Sequence, residues 1–183
     1  NKGAWDSMVS LGINSEGPLS TNVTGLAEDT VVILSSDHGD AAGSHHLAQK
    51  SFLYDEQTHV PFIVRAPWLT RDPGARRQQM ALNLDIAPTM LDFAGLPIPE
   101  DMDGESLVPF LTGPGTQGRE HFLLEFWRYF PESTPSYTGV RTGRYKYVEF
   151  ERGRQPWLFD LQEDPGEQTN LYGTAEGEQI LPA

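Results

Sequence analysis

Residues 31–34, Val-Val-Ile-Leu, form an apolar run that ends directly in the polar, glycine-containing stretch SSDHGDAAGSHH at 35–46. A short β-branched run of this kind is typical of a strand buried on both faces of a sheet. In open α/β sheets ligands bind beyond the carboxyl ends of the strands, which is where Asp37 and His38 stand. A carboxylate beside an imidazole can ligate a divalent cation, whereas the alternative interpretation is a hydrogen-bonded polar turn. The two residues alone leave both interpretations open.

Neighbouring residues fit a metal or anion site, although each is a weak indicator when taken singly. Two ligands are too few for a metal centre, so at least two more would have to come from elsewhere. Gly39 and Gly43 would let the backbone pass close to a bound group. His45 and His46 are adjacent, so at most one of them would face the site, and Lys50 alone would be interpreted as a solvated surface lysine.

The segment that follows indicates a parallel strand pair. Residues 60–67, VPFIVRAP, form a second apolar run, and residues 50–59 between the two runs favour a short helix. Strand, helix and strand in this order predict a parallel crossover. The stretch LDIAPTMLDFAGL at 84–96 predicts the clearest helix, with Asp85 as its cap and Gly95 at its end.

The final third of the chain has a different character. Stretches such as HFLLEFW and YTGVRTGRYKYVEF are aromatic and β-branched, which indicates an antiparallel meander beside the α/β part. We therefore predict an α/β fold with a small C-terminal antiparallel β-sheet subdomain. The predicted portions are an irregular N-terminal segment at 1–29, the α/β portion at 30–115 and the antiparallel sheet at 116–183.

The charge balance argues against one class of partner. The chain of 183 residues has 13 Lys and Arg against 26 Asp and Glu, a formal net charge of −13. Phosphate backbones require a basic face, so we expect no nucleic acid partner. Arg141, Arg144 and Lys146 lie on a predicted strand, and we interpret them as paired strand residues. An anionic small substrate is compatible with this charge only beside a local cation, either a metal ion or a few basic side chains.

Composition also bears on membranes and compartment. No stretch approaches the roughly 20 apolar residues that a membrane span needs, so we expect a soluble chain with no membrane partner. The chain has no Cys, which excludes disulfides, so its Cys content does not indicate a redox compartment. The first residues, NKGAWDSMVS, lack the basic flank and long apolar centre of a secretion signal, and the localisation is left unassigned.

Taken together, the order and spacing of these motifs resemble the sulfatase family of the alkaline-phosphatase-like superfamily. In that family a strand ends in a motif of the type Ser-Asp-His-Gly, followed by Gly, His and Lys and by a helix that leads into Val-Pro and a second strand. The corresponding residues here are Ser36, Asp37, His38, Gly39, Gly43, His45, Lys50 and the triplets 54–56 and 60–62. The match continues through an Asp-Gly-x-Ser-Leu turn at 103–107 and a closing Asp-Pro-x-Glu-x-x-Asn-Leu motif at 164–171.

The resemblance implies a fold, a substrate class and roles for four residues. The α/β portion would be the parallel-sheet crossover part of an alkaline-phosphatase-like fold, acting on a small anionic sulfate ester. Asp37 and His38 would ligate a divalent cation, with Ca²⁺ expected and Mn²⁺ or Mg²⁺ as alternatives, although the pair alone would suggest a transition metal. Lys50 would hold sulfate oxygens or the leaving-group oxygen. His45 would hydrogen-bond the leaving group or the substrate, and His46 would remain at the surface.

One part of the family pattern is missing. A sulfatase takes its nucleophile, a formylglycine, from a Cys or Ser-x-Pro-x-Arg signature upstream of the metal motif, and no such signature precedes Asp37. The resemblance therefore implies the C-terminal half of a sulfatase, with the missing N-terminal half of the same enzyme as its partner and with this chain alone inactive. Two alternatives stay open: a phosphonate or phosphate ester hydrolase of the same superfamily, and a non-catalytic α/β module.

Overall fold

A computed structural model describes residues 25–48, 50, 52–113, 115–128 and 134–181. The chain divides into two compact units. The first unit comprises the described residues up to Asp37 together with Pro61–Gln117, and the second comprises His38–Val60 together with the described residues from Gly118 onward. Within the described residues the helices and strands are, in chain order, β1 (Val32–Leu34), α1 (Asp55–Thr58), β2 (Ile63–Arg65), α2 (Ile86–Phe93), α3 (Val108–Thr112), β3 (His121–Phe126), β4 (Tyr137–Thr142), β5 (Tyr145–Phe150), β6 (Trp157–Asp160) and α4 (Gly177–Ile180).

The second unit is built on a four-stranded antiparallel sheet in which the strands pair in chain order, β3-β4-β5-β6. This pairing confirms the predicted C-terminal meander. Exposure alternates along β3, which leaves Leu123 at the surface and Leu124 packed against the core, as expected for a sheet with one solvated face. A tight hairpin joins β4 and β5, and there the Thr142 hydroxyl oxygen accepts a hydrogen bond from the Tyr145 N–H at 2.8 Å.

The core of the second unit includes a residue from far upstream in the chain. Tyr137 of β4 and Val148 and Phe150 of β5 form a buried cluster with Leu53. Burying an apolar side chain contributes about 1.5–3 kcal/mol. Because Leu53 is only 2% exposed, it anchors its own segment, His38–Val60, in the core of the C-terminal sheet.

The first unit contains a two-stranded sheet of β1 and β2, and these strands run antiparallel, with Ile33 paired to Val64. The predicted parallel crossover between these two strands is therefore wrong. Two short apolar runs have the same periodicity and composition in either orientation, so the sequence could not distinguish the two pairings. The intervening helix α1 belongs to the second unit.

The helix predicted within 84–96 is confirmed as α2. Its start differs from the prediction, because the Asp85 side chain makes no capping hydrogen bond to α2. The buried Asp85 carboxylate instead accepts hydrogen bonds from the N–H groups of Leu82, at 2.7 Å, and Glu105, at 2.9 Å. Asp85 therefore caps the turn before α2 and ties to it the Asp-Gly-x-Ser-Leu turn that contains Glu105.

Some sequence-based expectations fall outside what the structure describes. Residues 1–24 of the predicted irregular segment lie outside the described residues. The predicted portions 1–29, 30–115 and 116–183 stay a prediction, since the two units are defined by packing and not by continuous stretches of chain. No helix in the described ranges has the length and apolar character needed to cross a bilayer.

We expect Leu158 of β6, which is fully buried, to contribute strongly to the stability of the second unit. Leu158→Ala removes apolar contacts and leaves a cavity, so the free energy of unfolding should fall by about 2–5 kcal/mol. The matched control is Leu123→Ala on β3, where the side chain is 64% exposed. This control should change the free energy of unfolding by less than about 0.5 kcal/mol. Urea unfolding of the two variants measures the difference, and equal effects would contradict this description of the core.

Candidate functional site

The backbone beyond β1 is held by one amide side chain. Asn83 Nδ2 donates hydrogen bonds to the carbonyl oxygens of Ser36, at 2.8 Å, and Asp37, at 3.3 Å. Asn83 Oδ1 accepts a hydrogen bond from the Ser35 hydroxyl at 3.0 Å. These bonds fix the consecutive residues after the strand, so the exposed Asp37 side chain extends from a defined backbone.

Asp37 also lines an open cavity within the first unit. The cavity volume is about 890 Å³, and small-molecule pockets typically measure about 300–1,000 Å³. Its polar lining includes Asp37, Ser36 and Asn83, and its apolar lining includes Ile33 and Phe93. An apolar concave surface with a few polar groups is the kind of place where a ligand can meet a carboxylate.

In the second unit, His38 and Lys50 contact each other. His38 Nδ1 lies 2.7 Å from the Gly39 carbonyl oxygen, which can only accept, so Nδ1 carries the proton and donates. The neutral imidazole then has its lone pair on Nε2, and the Lys50 ammonium donates to this atom at 2.7 Å. A backbone-bonded Nδ1–H is the arrangement that directs Nε2 of a metal-binding histidine towards its metal ion. The Lys50 ammonium, a cationic group, already contacts Nε2. The lone pair of Nε2 is therefore placed to bind a cation.

His45 is presented by an unusual backbone conformation and an aromatic stack. The φ angles of His45, 53°, and His46, 59°, lie in the left-handed region that residues other than glycine rarely adopt. The imidazole of His45 stacks on the Tyr54 ring, with 3.6 Å between ring centroids and 6° between ring planes. Among the described residues, His45 Nε2 is shielded from solvent and has no hydrogen-bond partner. Burying a polar nitrogen without a hydrogen bond costs free energy, so the unpaired Nε2 indicates a group to which a ligand can bind.

Glycine at position 39 is required by a close backbone approach. The Gly39 N–H donates to the Gln57 carbonyl oxygen of α1 at 2.8 Å. A Cβ on residue 39 would lie 2.0 Å from the Glu56 carbonyl oxygen, so any larger residue would displace α1. Gly43 differs, because none of the described atoms lies within 4 Å of its Cβ position, and its φ of 101° is what requires glycine. The sequence-based prediction was that both glycines let the backbone pass close to a bound group. In the structure, Gly39 is required by its contact with α1, and Gly43 is required by the positive φ of its turn.

A buried ion cluster holds the segment that follows Lys50. Lys146 of β5 is fully buried, and its Nζ donates to the Leu53 carbonyl oxygen at 2.6 Å, to Asp55 Oδ1 at 2.6 Å and to Glu167 Oε1 at 2.7 Å. Glu167 Oε2 accepts the Asp55 backbone N–H at 2.5 Å, and Arg141 pairs with the Asp55 carboxylate at 3.2 Å. We call Lys146, Arg141, Asp55 and Glu167 the Lys146 cluster. Two cations face two carboxyl groups, which lets the charges balance.

Burial and charge act in opposite directions on the carboxyl groups of this cluster. Burial raises the pKa of Asp55. Lys146 and Arg141 oppose this effect through their positive charges and their hydrogen bonds, and together they hold that pKa below its usual value. For Glu167 burial is the larger effect and raises its pKa above the usual value, although Lys146 opposes the shift. Burial likewise raises the pKa of the Tyr54 phenol, and the charge of Glu167 adds to it. The pKa values of the two carboxyl groups in the Lys146 cluster are therefore shifted in opposite directions.

The structure brings some of the predicted site residues together. His38 and Lys50 are in contact, and His45 lies in the same unit. Asp37 belongs to the first unit and is described there, and His46 is exposed. Over the ranges that the structure describes, no group of three or more His, Cys, Asp or Glu side chains is arranged to hold a metal ion.

The supporting role of Lys146 was missed by the sequence-based interpretation, which treated this lysine as a paired strand residue. The sequence did carry an indication that Lys146 is buried. Residues two apart on a strand share a face, and Lys146 lies two residues before Val148, a core residue. The stack of His45 on Tyr54 had no comparable indication. It depends on the left-handed conformation at His45, which a single sequence does not reveal for a non-glycine residue.

Comparison with known protein sequences gives consistent matches. The sequence family described as N-sulphoglucosamine sulphohydrolase, C-terminal, matches residues 43–182. The chain is 32% identical over 157 residues to the N-acetylglucosamine-6-O-sulfatase of Bacteroides thetaiotaomicron, and 34% identical over 156 residues to arylsulfatase K of Homo sapiens. These alignments cover 83% and 80% of this chain but 28% of each relative. The chain thus spans less than a third of the length of these relatives.

Solved structures give the same result. A protein in complex with its substrate D-glucosamine-2-N,6-O-disulfate has a TM-score of 0.81 and 30% identity, over 87% of this chain and 33% of that one. The phosphonate monoester hydrolase from Silicibacter pomeroyi has a TM-score of 0.78 and 31% identity, over 88% of this chain and 34% of that one. These neighbours confirm the predicted alkaline-phosphatase-like fold class. Because the matching family covers most of the described residues, the chain belongs to the sulfatases, in the family described as N-sulphoglucosamine sulphohydrolase, C-terminal.

Proposed function

We propose that the protein of which this chain forms part hydrolyses sulfuric esters, and that the chain supplies metal ligands and anion-binding groups to the active site. The observation that supports this most directly is the contact of 2.7 Å between His38 Nε2 and Lys50 Nζ in a chain of the sulfatase family. An imidazole lone pair and an ammonium group are suited to bind a cation and a tetrahedral anion, respectively.

Asp37 and His38 are the proposed ligands of a divalent cation. Asp37 offers carboxylate oxygens, and His38 offers a lone pair on Nε2 whose direction is set by the Nδ1–H bond to Gly39. Ca²⁺ is the ion that the family resemblance implies, with Mn²⁺ and Mg²⁺ as alternatives. When bound, a divalent cation supplies the local positive charge that an anionic substrate requires in a chain of net charge −13.

Lys50 and His45 are the proposed substrate-contacting residues. One lone pair serves one cation, so Lys50 would have to leave Nε2 if His38 held a metal ion. The free ammonium can then bind sulfate oxygens, or neutralise charge on the leaving-group oxygen as the ester bond breaks. His45 Nε2, which has no partner among the described residues, can hydrogen-bond the leaving group or the substrate.

We further propose that the nucleophile, a formylglycine, lies in an N-terminal half that completes the active site. The chain spans 28% of the length of the N-acetylglucosamine-6-O-sulfatase and of arylsulfatase K, which leaves ample length for such a half in a protein of similar size. Without a nucleophile there is no covalent intermediate, so this chain on its own is expected to show no turnover.

A sulfated sugar is the proposed substrate class. Relatives named for such substrates include the N-acetylglucosamine-6-O-sulfatase and a Delta 4,5-hexuronate-2-O-sulfatase of Bacteroides thetaiotaomicron, the latter 33% identical. One structural neighbour was solved with a disulfated glucosamine. A sugar sulfate combines an anionic group with hydroxyl groups, for which Lys50 and His45 offer a cation and a hydrogen-bonding nitrogen.

A second candidate function is hydrolysis of phosphonate or phosphate esters. It is favoured by the similarity to the phosphonate monoester hydrolase from Silicibacter pomeroyi, which is as close in identity as the sulfatase relatives. Lys50 would serve it equally well, because an ammonium group neutralises phosphoryl and sulfuryl oxygens alike.

Removing the Asp37 carboxylate should abolish metal binding. Isothermal titration calorimetry of the full-length protein with Ca²⁺ should show binding to the wild type and none to Asp37→Ala, because a ligand is lost. The matched control is Asp40→Asn, since Asn keeps an acceptor for the Ala42 N–H, now bonded to Asp40 at 2.7 Å, while removing a nearby charge. Asp40→Asn should bind Ca²⁺ as the wild type does. Equal binding by the two variants would show that Asp37 is not a ligand, and parallel titrations with Mn²⁺ and Mg²⁺ identify the preferred ion.

Truncation of Lys50 should impair turnover. In the full-length enzyme, Lys50→Ala should lower kcat/KM for a sulfate ester by about 10²–10³-fold, the effect typical of losing a group that stabilises developing negative charge. His46→Asn is the matched control, because His46 is exposed and Asn tolerates the left-handed conformation found there. Its kcat/KM should stay unchanged. An unimpaired Lys50→Ala enzyme would rule out the proposed role of Lys50.

Substrate preference separates the two candidate functions. The full-length enzyme should hydrolyse 4-nitrophenyl sulfate and a glucosamine sulfate faster than the matching phosphate and phosphonate esters, with kcat/KM compared at one pH and one metal concentration. A strong preference for the phosphorus esters would overturn the sulfatase assignment in favour of the second candidate.

A further inference from the structure

We propose that Lys146 and Glu167 are positioning residues for His45. They hold the chain on both sides of Tyr54, whose ring stacks on the His45 imidazole and sets its direction. This inference rests on the proposed function of His45, and it identifies the part of the fold that places this imidazole.

The backbone around Tyr54 is clamped by buried groups. Before Tyr54, the Leu53 carbonyl oxygen accepts a hydrogen bond from Lys146 Nζ at 2.6 Å. After Tyr54, the Asp55 N–H donates to Glu167 at 2.5 Å, and the Asp55 carboxylate accepts from Lys146 at 2.6 Å. The side chains of Lys146 and Glu167 are 0% and 1% exposed, so water does not compete for these bonds. The direction in which Tyr54 leaves the backbone is therefore fixed from both sides.

The ring of Tyr54 contacts His45 directly and restrains its imidazole. Tyr54 packs against Trp157 of β6, with 5.1 Å between ring centroids, and stacks on His45 at 3.6 Å with the planes nearly parallel. Within the described residues this stack is the one ring contact that His45 makes. Nε2 has no hydrogen-bond partner there, so the stack on Tyr54, and not a hydrogen bond at this nitrogen, restrains the imidazole.

The same clamp reaches the loop that carries His38. Asp55 is the first residue of α1, and the Gln57 carbonyl oxygen of α1 accepts the Gly39 N–H at 2.8 Å. The Gly39 carbonyl oxygen in turn accepts from His38 Nδ1. Glu167, which belongs to the closing motif of the sulfatase pattern, is thus connected through Asp55 to two predicted site histidines.

The test uses a spectroscopic property of the stack, measured on the full-length protein. A ring stacked at 3.6 Å shifts the NMR resonances of the His45 ring protons upfield, and these signals are assigned by their absence from a His45→Asn variant. In Glu167→Ala the Asp55 N–H loses its acceptor, and the His45 signals should move downfield towards those of an unstacked histidine. Glu167→Gln keeps an acceptor for the Asp55 N–H and should retain the upfield position.

Glu149→Ala is the matched control, because Glu149 is an exposed acid on the same strand as Lys146. It should leave the His45 signals unchanged. A folded Glu167→Ala protein with unshifted His45 signals overturns the proposal.

A second variant covers the case in which Glu167→Ala does not fold. Lys146→Met combined with Glu167→Gln removes one charge of each sign, leaves Asp55 paired with Arg141, and abolishes the bond to the Leu53 carbonyl oxygen. Replacing buried ions together, and not singly, is the better tolerated change. The His45 signals should again move downfield in this variant, and an unchanged position overturns the proposal.

Activity separates this inference from the proposed function. With a sulfate ester, Glu167→Ala should lower kcat/KM by about 10- to 100-fold, the effect typical of supporting residues around a site, and Glu167→Gln should recover most of it. A downfield shift with unchanged kcat/KM would support the positioning and overturn the role of His45 in catalysis. An unchanged shift overturns the positioning whatever the activity.

Discussion

The buried ammonium of Lys146 is the interaction on which the arrangement of the second unit depends. Moving a cation out of water costs several kcal/mol, so a lysine is stable in an interior only when its donors are satisfied. Lys146 has three N–H donors and three acceptors, the Leu53 carbonyl oxygen and the carboxyl groups of Asp55 and Glu167. The strand β5 is thereby joined to two segments that are distant in sequence. Losing one partner of such a cluster typically costs about 3–5 kcal/mol, because the remaining charge is left uncompensated.

Local structure alone cannot order the segment that carries the proposed site. Between His38 and Val60 the described regular structure is one 3-10 turn, Ser44–His46, and the four-residue helix α1. Helices shorter than about 12 residues are marginal without tertiary contacts. The order of this segment therefore depends on other parts of the second unit, through Leu53 in the hydrophobic core and Asp55 in the Lys146 cluster. The close approach of Gly39 to α1 adds a contact within the segment itself.

The sequence was informative where a periodic pattern covers a whole element. The helix α2 was predicted because apolar spacing covers its eight residues, and the C-terminal meander was predicted because its stretches are rich in aromatic and β-branched residues. The strands β1 and β2 were predicted in place but not in orientation, because a pattern of three or four apolar residues carries no direction. The family was recognised from the order of its motifs, and the matching family confirms it.

The site was less accessible to sequence analysis than the fold. Asp37, His38, His45 and Lys50 were singled out by residue type and motif order, and their roles stay predictions. What the sequence did not provide is the set of contacts that arranges them: the lone pair of His38 directed at Lys50, the stack of His45 on Tyr54, and the hydrogen bonds from Lys146 to Leu53, Asp55 and Glu167. Each depends on tertiary packing between segments, which the spacing of residues along one chain does not encode.

The path of the chain between the two units has a consequence for protein engineering. The chain passes from one unit to the other between Asp37 and His38, between Val60 and Pro61, and between Gln117 and Gly118. A fusion that exchanges only the part after Gln117 with that of a related enzyme would give residues 38–60 a foreign sheet, with new neighbours for Leu53 and Asp55. Recombination between such enzymes should preserve function best when both stretches are inherited from the same parent.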